Sequence, residues 1–208
     1  MNQVTSNRPE ILQALSFATD VRGQFSDELS RLLDPGNLNV RMTRHVAYVR
    51  KNIIGAGSGF DILDAETKKI DGISSIKGKQ LSPNQAVIFD HIAVAFALGT
   101  ANEGEEAKVA YNATNVPDDI RNAILVITQG SREVLEIPVA DLIRGMQSNN
   151  SADYYHDLKG FHYLTDHEEI DMKLRFAPGV SITPGGAENN LQKYLEVRAL
   201  GYKTIRRL

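Results

Sequence analysis

Arg31-Leu32-Leu33-Asp34-Pro35-Gly36-Asn37-Leu38-Asn39-Val40-Arg41-Met42 is where the hydrophobic rhythm of this 208-residue chain changes. Upstream, Ile11, Leu15, Ala18, Val21, Phe25, Leu29 and Leu32 recur at helical spacing. Downstream the apolar period falls to two and mostly stays there, as strands require. Asp34-Pro35-Gly36 is a strong helix stop. The pattern predicts a helical arm over residues 1–36 and an all-β body over 37–208.

Working back from the break, Ser6 or Asn7 can cap the arm, and Pro9 suits its first turn, where a missing N–H costs little. Gly23 weakens the helix by about 1 kcal/mol relative to Ala and is a point at which it can divide in two. An amphipathic arm must bury its stripe on its own body, on another copy or on a lipid surface. Its polar face mixes Asp20, Arg22, Asp27, Glu28 and Arg31, without the lysine bias of membrane-surface helices. Protein is the better partner. The arm is predicted helical over Arg8 to Leu33, packed outside its own sandwich and partly against another copy.

Working forward, strands are predicted at Val40–Lys51, Phe60–Leu63, Ile70–Ile76, Ala86–Leu98, Lys108–Ala113, Ala123–Thr128, Arg132–Ile137, Ile170–Phe176 and Tyr194–Ile205. In the fourth, Ile88, Ile92, Val94, Phe96 and Leu98 fall on one face and alanines on the other. The last is expected to bulge at Gly201. Pro138 opens a short helix carrying Val139, Leu142, Ile143 and Met146 on one face. Strands do not alternate with crossover helices, which argues against an α/β fold. Long strands, long loops and one inserted helix favour a jelly-roll-like antiparallel β sandwich over an immunoglobulin-like one, whose tryptophan and cysteine markers are missing.

Composition excludes several chemistries. There is no cysteine, hence no disulfide, thiolate metal site or cysteine nucleophile. The net charge of -3 predicts neither nucleic-acid nor membrane binding. The longest apolar run, Ile92 to Leu98, is too short for a membrane helix. No signal peptide is visible at the N-terminus.

Gly55-Ala56-Gly57-Ser58-Gly59 lacks the third glycine and following helix of a dinucleotide site. It also lacks the glycines of a nucleophile elbow. It reads as a flexible turn. His156, His162 and His167, with Asp157, Asp166 and Glu168, fall on both faces and in turns and read as polar loop. No catalytic residue, cofactor or metal ligand is assigned. Tyr154, Tyr155, Phe161 and Tyr163 form the one dense aromatic cluster, read as packing beside a loop, as an interface anchor or as a sugar-stacking platform.

Charge is segregated. Arg41, Arg44, Arg50 and Lys51 stand without an acid in the first strand. The last strand region carries Lys193, Arg198, Lys203, Arg206 and Arg207 against Glu196 alone. Residues 153–171 reverse the sign. In a jelly roll the first and last strands pair, which would gather the basic residues into a patch facing the acidic stretch of another copy. The interface residues expected on these grounds are Ile11, Leu15, Phe25, Leu29, Leu32, Arg41, Arg44, Arg198 and Lys203.

Three stretches carry a family resemblance: Leu38-Asn39-Val40-Arg41-Met42, Ala123 to Gly130 with Val134-Leu135-Glu136-Ile137-Pro138, and Tyr194 to Thr204. In organisation they resemble a bacteriophage or viral structural protein, most closely a jelly-roll capsid protein. The resemblance implies a virion shell subunit made in the host cytoplasm, without enzymatic activity. It implies self-assembly into many copies, arm exchange between neighbours, and contact with other virion proteins. The arm carries Arg8, Arg22 and Arg31 but no basic run, a departure that argues against direct genome binding. Two rival readings are a carbohydrate- or receptor-binding sandwich of a phage fibre or baseplate, and a cupin-like enzyme, for which the histidine spacing is wrong.

Overall fold

The computed structural model describes residues 9–112, 116–143, 154–185 and 190–206. Its strands are β1 (Val40–Asn52), β2 (Gly59–Asp61), β3 (Val87–Gly99), β4 (Ile124–Gln129), β5 (Arg132–Pro138), β6 (His156–Leu164), β7 (Ile170–Arg175) and β8 (Gln192–Arg206). They form two four-stranded antiparallel sheets. Sheet A has the order β1-β8-β3-β6, and sheet B the order β2-β7-β4-β5. The pairs β1–β8, β2–β7, β3–β6 and β4–β5 are nested, so the chain runs out through four strands and returns along them. β3–β8 and β4–β7 then join these pairs into the two sheets.

The main core lies between the sheets. Ala47 and Val49 of β1, Ile92, Val94 and Phe96 of β3, and Leu195 and Val197 of β8 meet Leu125 and Ile127 of β4 and Met172 and Leu174 of β7. A second, separate apolar cluster covers the opposite face of sheet A. There β1 contributes Val40 and Met42, and β3 contributes Ile88. One strand thus buries one face at its start and the other face at its end, and this is why β1 shows apolar residues in both alternation sets.

A bulge at Asp90 makes the same switch in β3. Phe89 pairs with Gly201 and His91 with Leu200, leaving Asp90 as the extra residue. The extra residue inverts the alternation, so Ile88 faces the second cluster while Ile92, Val94 and Phe96 face the main core. The expectation that these residues share one face is therefore corrected, and the bulge belongs to β3, opposite Gly201, instead of to the last strand.

Among the described residues the arm is two helices, α1 (Pro9–Asp20) and α2 (Asp27–Leu32), separated by a 3₁₀ turn at Arg22–Gln24 that contains Gly23, while the expected cap at Ser6 or Asn7 and the expected start at Arg8 lie outside them. Ser26 caps α2 by accepting from the Leu29 amide. A second 3₁₀ turn at Pro35–Asn37, capped by Asp34, links the arm to β1. Among the described residues two four-residue helices follow, α3 (Asp118–Arg121) and α4 (Val139–Leu142). α4 is the inserted helix, and Met146 lies outside the described residues.

Two expected strands are turns. Residues 70–76 make only isolated bridges, Ile70 with Ser74 and Val49 with Ser74. Residues 108–112 make one, Asn112 with Phe96, after a 3₁₀ turn at Glu105–Ala107. Conversely, β6 is a strand where the sequence suggests polar loop. Between His162↔Phe89 and Asp157↔His91 it carries an excursion with Lys159 at φ +60°, and this hides the alternation.

Candidate interface: the outer face of sheet A

The side of sheet A turned away from sheet B carries the second cluster and is covered from two ends. At one end lies the arm. Ala14, Ala18, Phe25, Leu29, Leu32 and Leu33 are buried against Val40, Met42, Ala86 and Ile88, with Ile11, Leu15, Phe17, Val21, Phe161, Tyr163 and Tyr202 packed around them. The helical stripe thus closes on the chain's own sheet. Phe17 meets Phe161 and Tyr163 at centroid distances of 5.5 and 6.1 Å, and Phe25 meets Tyr163 edge-on at 5.6 Å. Arg132 lies over the Tyr163 ring at 3.9 Å and donates to the Tyr163 carbonyl.

A polar contact fastens the same arm. Ser26 Oγ donates to Asp166 Oδ2 at 3.0 Å, and the Asn84 amide donates to the same oxygen at 2.5 Å. The Asp166 side chain is 5% exposed. Its other oxygen, Oδ1, is buried with no hydrogen-bond partner among the described residues, and His167 Nδ1 stands 3.7 Å away. Near the body's last strand, Arg206 approaches Glu28 of α2 at 3.6 Å, with both side chains exposed.

At the other end lies a charged core. Register places Arg50, Glu196 and Ala95 in one row across β1, β8 and β3, and Tyr48, Arg198 and Ala93 in the next. Glu196 is fully buried. Arg50 Nε donates to Glu196 Oε1 at 2.6 Å, while Arg198 Nε comes within 2.7 Å of Oε2 as an ion pair without hydrogen-bond alignment. Arg50 also donates to the Gly72 carbonyl and lies 4.8 Å over Tyr111. Arg198 lies 5.8 Å over Tyr154, which meets Tyr155 edge-on. The nearly fully buried Ala93, Ala95 and Ala97 leave room for this layer. Burial pushes the Tyr111 phenol up, and the Tyr154 phenol up to about 12, and the Tyr111 hydroxyl donates to the Glu106 carbonyl.

The basic residues expected at an interface do not form one patch. Register places Arg44 and Arg198 on the outer face, while Arg41 and Lys203 fall on the alternate face. Their strands are antiparallel neighbours from Val40↔Arg206 to Asn52↔Tyr194, as expected. His45, on the side of Arg41 and Lys203, has its pKa lowered to about 4 by burial and by the Lys203 and Lys69 charges. Three acids of the acidic stretch are engaged within the chain. Lys79 holds Asp171 at 2.5 Å and lowers its pKa, Lys159 holds Asp157 at 2.6 Å and does the same, and Asp166 faces the arm.

The histidines do not converge. His162 stacks on Phe89 at 5.7 Å with Nδ1 2.8 Å from the Val134 carbonyl, His167 lies beside Asp166, and His156 Nδ1 is buried without a hydrogen-bond partner among the described residues. Among the described residues no group of three or more His, Asp or Glu side chains could hold a metal ion. No helix among them is long and apolar enough to cross a membrane.

Sequence reasoning missed Asp166 and Glu196. Glu196 carried a signal, since it is the one acid in the basic final stretch, and an isolated acid there is what a buried ion pair needs. Asp166 carried none, because its partners are 140 and 82 residues away. No family model, curated protein or solved structure matches this chain.

Proposed function

We propose that this chain is a virion shell subunit: a jelly roll with an N-terminal helical arm that self-assembles into a multi-copy capsid. The observation that carries the reading is the nesting of β1–β8, β2–β7, β3–β6 and β4–β5 into sheets of order 1-8-3-6 and 2-7-4-5. Folding one long hairpin of four strand pairs into two facing sheets gives the doubled Greek key of a jelly roll.

The arm supplies the assembly element. It is buried in a cluster separate from the sandwich core, so it can leave without opening that core. Leaving bares Val40, Met42, Ile88, Phe161 and Tyr163, and an identical arm from a second copy fits the same groove. Ile11, Leu15, Phe25, Leu29 and Leu32 would then make in trans the contacts they make in cis. The protein would reside in the virion after synthesis in the host cytoplasm, contact other virion proteins, and carry out no catalysis.

Sedimentation velocity of the purified full-length protein over a range of concentrations tests this reading. Large discrete particles, or pentamer and hexamer rings, are expected. A 23.0 kDa monomer at every concentration overturns it.

A further inference from the structure

We infer that the Ser26–Asp166 hydrogen bond is a latch that sets how often the arm lifts from sheet A as a unit, and so controls when the groove beneath it opens to a second copy's arm. The inference concerns regulation of the proposed assembly and rests on that reading for its purpose, but its physical content belongs to the single chain.

Three observations point to it. First, sheet A separates two apolar clusters that share no residue. Local opening follows such divisions, because one cooperative unit can open while the other stays closed. Second, a buried polar bond ties the arm to a distant part of the body. Ser26 caps α2 and donates to a carboxylate that is 5% exposed, at 3.0 Å. A hydrogen bond to a charged acceptor is stronger than a neutral one, and losing it leaves the carboxylate under-satisfied. Third, Asp166 is only half satisfied even when the arm is down. Among the described residues Oδ1 is buried without a hydrogen-bond partner, and the His167 Nδ1 is 3.7 Å from it. A half-satisfied buried network sits higher in energy than a complete one. The closed arm is therefore held, but not held as firmly as the site allows.

Asp166 does a second job on the body side. Oδ2 also accepts from the Asn84 amide, and Asn84 sits at φ +59°, a left-handed conformation that asparagine tolerates. Substituting Asp166 therefore disturbs the turn before β3 as well as the arm. The informative position is Ser26, whose loss leaves the Asp166–Asn84 contact in place.

Hydrogen exchange of the full chain, held at a concentration where it is monomeric, tests the latch apart from assembly. Ser26→Asp keeps a good helix cap but sets a second carboxylate against Asp166. Ser26→Asn keeps both the cap and a donor. Amides of α1 and α2 are expected to exchange at least about tenfold faster in Ser26→Asp than in the wild type, with Ser26→Asn close to the wild type and β3 and β8 unchanged in all three. The inference is overturned if Ser26→Asp and Ser26→Asn exchange alike, since the serine then acts only as a cap. It is equally overturned if the arm and β8 accelerate together, since the arm is then part of the core. Failure of the shell reading would appear separately, as a wild type that stays monomeric while the latch behaves as described.

Discussion

Gly201 of β8 sits directly against the Ile88 carbonyl of β3: a Cβ built on Gly201 would lie 2.0 Å from that oxygen and 2.5 Å from the Phe89 Cα. The contact falls at the Asp90 bulge, where β3 turns its apolar residues from the arm cluster to the sandwich core. Neither obstructing atom belongs to a flexible side chain, so the sheet itself would have to move.

Gly201→Ala is therefore expected to destabilise the fold by about 3 kcal/mol or more, among the largest effects of a single methyl group. Thermal melting followed by circular dichroism, with soluble yield as a second readout, checks it. A variant within about 1 kcal/mol of the wild type would mean that the two strands are not in this contact.

Glu196 holds two guanidinium groups beneath a tyrosine layer, so Glu196→Gln leaves Arg50 and Arg198 partly buried and uncompensated. Breaking a buried ion pair from one side costs about 3–5 kcal/mol. For a chain of this size the midpoint should fall by about 10 °C. Arg198→Gln should cost less, because its side chain is 32% exposed and can find water. Equal and negligible effects from both would show that the cluster is not a stabilising one.

His45 predicts an acid limb in the stability curve. Its pKa in the folded chain is about 4, lowered by burial and by Lys203 and Lys69, below the roughly 6.5 of an unfolded chain. As pH falls, the unfolded state takes up the proton first. The stability that neutral His45 contributes is complete above about pH 6.5 and is lost as pH drops toward 4. Solvent screening of a half-buried ring keeps the loss on the order of 1 kcal/mol. Urea titrations of the wild type and His45→Gln at pH 7 and pH 5 test this. The difference in stability between the two should shrink at pH 5, and an unchanged difference contradicts the argument.

The arm, the long first and last strands and their pairing were legible in the sequence because each depends on local period or on chain ends. Ile11 to Leu32 announced a helix, Asp34-Pro35-Gly36 its end, and the basic terminal strands their length. Features set across the sheet were not. In β6, Asp157, Lys159 and Gly160 interrupt the apolar pattern, and several residues face one on β3, so the period of two disappears. In β3 a single extra residue, Asp90, reverses which face is buried, and only the cross-strand register reveals it. The basic residues looked like one patch because charge was counted along strands, whereas alternation sends Arg44 and Arg198 to one side and Arg41 and Lys203 to the other.

Electron microscopy of the purified full-length protein, concentrated without any other component, tests the assembly reading most directly. The account predicts closed particles of uniform diameter, or rings of five and six copies, with the arm of each subunit seated on sheet A of a neighbour. A field of isolated 23.0 kDa subunits under every buffer tried, each with its arm on its own sheet, would contradict it.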